Sequence, residues 1–179
     1  MYLPQPGPDE EVIGVLIPVP EPWRSQLTNW RLQFGDPLAN QVVPHITLLP
    51  PTVVKVADRV RVRQHLQKAA AGSVPFQITL HGTGTFQPVS PVVYIQVVGG
   101  VHELVALESD IRSGVLDRPT RFPYHPHVTI AQSVPPEQLD FAAQECADFE
   151  ASWVARSLHL DTVSAGGAYE SRALFELNS

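Results

Sequence analysis

Two stretches of the chain carry residues suited to acid–base chemistry, and both follow one pattern. Pro44-His45-Ile46-Thr47-Leu48 and Pro126-His127-Val128-Thr129-Ile130 each read proline, histidine, aliphatic, threonine, aliphatic. Successive side chains of a β-strand point to opposite faces. As strands, both stretches turn an imidazole and a hydroxyl to one face and send their aliphatic residues into a core. Histidine changes charge near neutral pH, and a threonine hydroxyl donates a hydrogen bond. Two such pairs facing one another form a symmetric site with two proton carriers and two donors. That set suits reaction at a phosphate.

The flanking pattern supplies the elements that must position these residues. Val12 to Val19 is a short apolar run that reads as a buried strand, ended by Pro18, Pro20 and Pro22. Trp23, Leu27, Trp30 and Phe34 fall on one helical face, and Gly35-Asp36-Pro37 stops that helix. The first motif strand runs from Val42 to Leu49 and is closed by Pro50-Pro51. A helix over about 57–71 turns Val62, Leu66, Ala69 and Ala70 inward and ends at Gly72. Phe76, Ile78 and Leu80 alternate with Gln77, Thr79 and His81, a half-buried strand. Gly82-Thr83-Gly84 leads into no helix, so it reads as a bulge or strand extension rather than a phosphate loop. Val92 to Val98 is a second apolar strand, and Val101, Leu104, Val105, Ile111 and Val115 mark an amphipathic helix. The second motif strand spans about 127–132, a helix follows Pro135-Pro136, and closing strands cover 154–162 and 169–177.

These elements repeat at an offset of about eighty residues, with one histidine–threonine motif per copy. The predicted fold class is α+β: a duplicated strand-helix-strand-helix-strand unit forming two pseudo-symmetric lobes with antiparallel-type sheets around a central cleft. Residues 1–179 form a single domain, with lobe halves at about 11–88 and 89–179 after a loose leader at 1–10. The 179 residues, 44% of them apolar, suffice for a well-buried core. The formal net charge of −6 argues against sequence-blind binding along a nucleic-acid backbone, but not against recognition of one nucleotide or one RNA end. Cys146 is the only cysteine, so no internal disulfide forms and a thiolate metal site is disfavoured. The start of the chain is proline-rich and acidic and lacks a signal-peptide pattern, and no apolar run is long enough to span a bilayer. A cytoplasmic monomer without membrane contact is the expectation.

Two His-x-Thr-aliphatic motifs with matching flanks, about eighty residues apart in an α+β chain, resemble the 2H phosphoesterase superfamily. The resemblance extends from Val12 to about Leu177 and points to the bacterial 2′-5′ RNA ligase-like, or RNA 2′,3′-cyclic phosphodiesterase, branch. It implies a bilobed fold around a cleft, with His45 and His127 as the acid/base pair and Thr47 and Thr129 binding phosphate. It also implies cofactor-free hydrolysis of a 2′,3′-cyclic phosphate on a nucleotide or RNA end to a 2′-phosphate, with 2′-5′ ligation as the reverse. In one respect the chain departs from the pattern: Ala131-Gln132 stands where many relatives carry an arginine. Arg121 or Arg118, on the loop before the second motif, is a candidate substitute.

Other residues divide between substrate contacts and packing. Arg121, Tyr124, Phe86 and His125 are the candidate substrate contacts, and the rings of Phe86, Phe122, Tyr94 and Tyr124 could stack on a base or pack in the core. His125 with His45 and His127 also makes a three-histidine zinc site conceivable, though the threonines would then have no role. Trp23 and Trp30 lie on a core stripe. A nucleotide-binding module that retains the pocket without turnover is the alternative to an enzyme.

Overall fold

The computed structural model describes residues 3–120 and 122–178. Among these residues eight strands and four α-helices follow in the order β1 (Glu10–Pro18), α1 (Trp23–Gln33), β2 (His45–Lys55), α2 (Arg59–Ala71), β3 (Phe76–Thr85), β4 (Val92–Gly99), α3 (Val101–Ile111), β5 (His127–Gln132), α4 (Pro136–Glu145), β6 (Glu150–Ala155), β7 (Ser157–Val163) and β8 (Tyr169–Glu176). All their pairings are antiparallel, and the strands form one sheet in the order β6-β3-β4-β5-β2-β1-β7-β8. The fold class is the expected α+β arrangement. Two wings of the sheet meet at the centre, where Ile46 on β2 pairs with Val128 on β5.

The division of the sheet is not the division of the sequence near residue 88. β3, from the first half, pairs with β4 and β6, while β7, from the second half, pairs with β1. Each wing of the sheet therefore draws on both halves of the chain. The single closing strand expected over 154–162 is in fact two strands. β6 lies on one edge of the sheet and pairs with β3, and after Arg156 the chain crosses to lay β7 on β1. The alternation shifts phase at Arg156-Ser157, but a phase shift does not say that the chain changes partner strand.

Pro50 and Pro51 do not end the first motif strand either. β2 continues to Lys55, with a register shift against β1 between Ile13 and Val15. Proline lacks the N–H that a central strand must donate. Here β5 pairs with β2 only at Ile46, so beyond that point one edge of β2 has no strand partner among the described residues, and the prolines are tolerated.

The helices cover one face of the sheet. α1 and its C-cap Phe34 are joined to α4, β6 and the turn between them by aromatic contacts: Trp23 to Trp153 at 6.2 Å, Trp30 to Phe149 at 5.6 Å and Phe34 to Phe141 at 5.7 Å. This is the packing role expected of the two tryptophans. α2 and α3 pack on each other and on the β2–β8 wing. Ile46, Leu48, Val128 and Ile130 are fully buried under this layer. The alternation of a strand then requires His45, Thr47, His127 and Thr129 to emerge on the opposite face.

Candidate active site

Register alone assembles the four motif side chains. Because Ile46 is opposite Val128 in an antiparallel pair, His45 stands across from Thr129 and Thr47 across from His127. The four form a square with the histidines on one diagonal and the threonines on the other. Directly opposed Cβ atoms in such a pair are roughly 5 Å apart and diagonal ones roughly 7–8 Å. The two histidines sit on adjacent hydrogen-bonded strands, closer than the facing lobes of the sequence reading would require.

Each imidazole is held the same way. His45 Nδ1 is 2.7 Å from the Val43 carbonyl, and His127 Nδ1 is 2.7 Å from the His125 carbonyl. A carbonyl only accepts, so each Nδ1–H donates and each Nε2 is left for chemistry. Burial pushes the His45 imidazole down to about 4; the Val43 carbonyl opposes the fall, and the charges of Arg31 and His127 add to it. Burial also lowers His127, opposed by the His125 carbonyl and aided by the charge of His125. Both rings are therefore neutral in the free protein at neutral pH.

The surroundings of the two histidines differ. Phe86 lies edge-on to His127 at 4.9 Å, and Tyr94 is 5.2 Å from it. Tyr94 packs on Phe86 at 4.4 Å and crosses Gly84 on β3, where a Cβ would come within 2.7 Å of its ring. Gly84 is thus the seat of Tyr94, and the neighbouring Gly82, at φ +67°, lies in a register shift of β3. The glycine pair is a bulge, as the absence of a following helix indicated. Beside His45 the aromatic neighbour is Tyr169, at 5.4 Å.

All four motif side chains line one cavity of about 390 Å³, together with Arg31, Gln132 and Tyr169. A larger groove of about 940 Å³ continues past His127 and Thr47, lined by Phe86, Phe122, Tyr124, His125 and Arg118. Of the candidate contacts, Phe86 and His125 stand against His127 at the mouth of this groove. Tyr124 lines it too, but its hydroxyl donates to the Thr47 carbonyl at 3.0 Å and ties the loop before β5 to β2. Arg121 lies outside the described residues. Arg118 donates to the Asp117 carbonyl at 2.7 Å. Among the described residues no three His, Cys, Asp or Glu side chains cluster as metal ligands, so His45, His125 and His127 do not form the three-histidine site.

Two residues of the site were not singled out by sequence, Arg31 and Tyr169; Tyr94, a candidate stacking ring, packs on Phe86 and His127. Arg31 gave a signal. It follows Leu27 by four residues and so falls on the buried face of α1, where an arginine needs a partner.

A single antiparallel sheet bent around a His/Thr square defines a phosphoesterase-type fold with duplicated motifs. The sequence profile of the 2′-5′ RNA ligase superfamily matches residues 18–165. The chain belongs to that superfamily. Among curated proteins it is similar to "Putative phosphoesterase OB1230" of Oceanobacillus iheyensis, 29% identical over 99 residues, which are 55% of this chain and 58% of that protein. A Bacillus cytotoxicus protein of the same description is 31% identical over 99 residues, 55% of this chain and 57% of its own. The chain thus matches just over half the length of these relatives. Among solved structures, Escherichia coli LigT complexed with NADP+ superposes with a TM-score of 0.73 at 20% identity, covering 96% of this chain and 99% of that one. TT0787 of Thermus thermophilus superposes with a TM-score of 0.60 at 20% identity, covering 94% and 98%. These likenesses establish the fold.

Proposed function

We propose that this protein is a phosphodiesterase that opens 2′,3′-cyclic phosphates at nucleotide or RNA ends to 2′-phosphates. The observation that carries the reading is the His/Thr square: two imidazoles with free Nε2 atoms on one diagonal, two hydroxyls on the other, lining one cavity. A cyclic phosphate placed over the square meets all four groups. A neutral imidazole takes a proton from water at Nε2 as the water oxygen bonds to phosphorus. The P–O3′ bond breaks, and the protonated partner gives its Nε2 proton to the leaving 3′ oxygen. Thr47 and Thr129 donate to the nonbridging oxygens as charge develops. With a 5′-hydroxyl in place of water, the same displacement makes a 2′-5′ linkage: the 5′ oxygen bonds to phosphorus, its proton goes to the neutral imidazole, and the 3′ oxygen leaves with the proton of the other. The square supplies proton transfer and anion binding without a further group. E. coli LigT has been crystallised with 3′-AMP and with ATP, in keeping with a nucleotide-sized ligand for this fold.

The test is turnover of a 2′,3′-cyclic mononucleotide by chelator-treated protein, with the product regiochemistry read by chromatography. Sustained hydrolysis to the 2′-phosphate is expected. No turnover would leave the nucleotide-binding module as the reading, and recovery on adding zinc would transfer the chemistry to a metal. The threonines offer a finer measurement. Thr47→Val or Thr129→Val keeps the shape and removes one neutral donor. Each is expected to cost about 1–3 kcal/mol in transition-state stabilisation, read from kcat/KM.

A further inference from the structure

We propose that Arg31 is a positioning residue for His45 and supplies the permanent positive charge of the cavity. Arg31 is in the last turn of α1 and only 2% exposed. Its guanidinium is anchored on Asp36, itself buried, with Nε and Nη2 both 2.9 Å from Oδ2. Its Nη1 donates to the Val42 carbonyl. The next carbonyl along the chain, that of Val43, holds Nδ1 of His45. One guanidinium therefore pins the segment whose carbonyl sets the tautomer and aim of one of the two imidazoles.

Geometry supports a second part of the role. Arg31 lines the same cavity as His45, Thr47, His127 and Thr129, and no other arginine or lysine does so among the described residues. Gln132, at the other side of the cavity, brings no charge. Of the five N–H bonds of the guanidinium, three go to Asp36 and Val42. A buried cation acts strongly on its surroundings because little water screens it. It favours an anion in the cavity and disfavours a proton on His45, the direction in which that imidazole is displaced. Asp36 offsets part of the charge and fixes its place; Leu38 N–H, bonded to Asp36 Oδ1 at 2.9 Å, fixes Asp36 in turn. The groups facing His45 are Arg31, His127 and Tyr169, so a change at Arg31 is the one that removes fixed charge. The anion-binding half of the proposal rests on the phosphoesterase reading; the positioning half stands without it.

Nitrogen-15 histidine spectra of the intact protein, recorded against pH, separate the two. Arg31→Gln removes the charge and the fork, and Arg31→Lys keeps the charge while losing the fork. In Arg31→Gln the His45 midpoint is expected to rise and its Nδ1–H tautomer to lose population, with the His127 tautomer unchanged. In Arg31→Lys the tautomer should shift while the midpoint moves less. Inorganic phosphate, titrated in the same samples, should bind roughly tenfold more weakly to Arg31→Gln, and less weakly than that to Arg31→Lys. Asp36→Asn, which loosens the anchor without changing side-chain size, should shift the tautomer in the same sense and decides the matter if the Arg31 variants do not fold. A folded Arg31→Gln or Asp36→Asn protein with an unaltered His45 tautomer and midpoint overturns the proposal. Absence of cyclic-phosphate turnover by the wild-type protein would overturn the phosphoesterase reading and leave these spectra intact.

Discussion

His45→Ala and His127→Ala are each expected to lower kcat on a 2′,3′-cyclic nucleotide by roughly 10²–10⁴-fold, the usual contribution of a positioned proton carrier. The loss should fall on kcat, with much less change in binding, because in the proposed mechanism the imidazoles act on protons in flight while the hydroxyls and the cavity wall hold the phosphate. The double variant should lose little beyond the worse single, since acid and base serve one transition state and neither is useful alone. Both variants should fold. His45 and His127 lie on the open face of the sheet, and the core beneath is made by Ile46, Leu48, Val128 and Ile130. His45→Ala removes a contact with Tyr169 and His127→Ala contacts with Phe86 and Tyr94, none of them in that core. Steady-state kinetics with circular dichroism as the folding control make the measurement. A folded His127→Ala protein that turns over near the wild-type rate would remove the two-histidine mechanism.

The square itself was legible in the sequence because it depends on one property of strands, the alternation of side chains, applied twice to the same five-residue pattern. What joins the two copies was not legible. Nothing in Ile46 or Val128 says that they pair, since an apolar strand residue is the same whether its neighbour is near or far in sequence. The exchange of strands between the wings was hidden for a similar reason. The apolar alternation changes phase at Arg156-Ser157, between Ala155 and Leu158, which spacing alone reads as a bulge; the pairing of Phe76 with Ala155 and of Ser157 with Glu176 makes it a crossing between two strands. Pro50-Pro51 misled in the opposite direction. The rule that proline ends a central strand holds where both edges are paired, and past Ile46 β5 no longer pairs with β2. Arg31 was readable in part. Its place on the buried face of α1 follows from helical spacing, and Asp36 stands in the helix stop five residues on. That the pair reaches the cavity depends on how α1 packs, which spacing does not give.

The pH profile is expected to carry the second large effect. A cyclic phosphodiester keeps one negative charge across the working range, so the titrating groups are the two histidines. In the free protein burial lowers both from the ordinary histidine value of 6.5, His45 to about 4. The proposed reaction needs one imidazole protonated and one neutral, and kcat/KM follows the free protein. Its maximum is therefore expected on the acid side of about 6.5, at macroscopic values that belong to the pair rather than to either ring. Above the upper value kcat/KM should fall about tenfold per pH unit, so roughly a hundredfold between about pH 6.5 and 8.5. The kcat profile should lie to higher pH, because a bound phosphate anion favours the imidazolium. The acid limb carries a second term of the same origin. A histidine whose folded value is depressed binds protons more readily in the unfolded chain, so stability present above about 6.5 is lost as pH falls towards about 4. Urea midpoints over that window separate the terms, and they should depend less on pH in His45→Ala than in the wild type. Initial rates on a 2′,3′-cyclic nucleotide from about pH 4 to 9 supply the profile. A kcat/KM flat from about pH 6.5 to 8.5 would mean that the two imidazoles are not depressed as their burial requires, or that the proton carriers lie elsewhere.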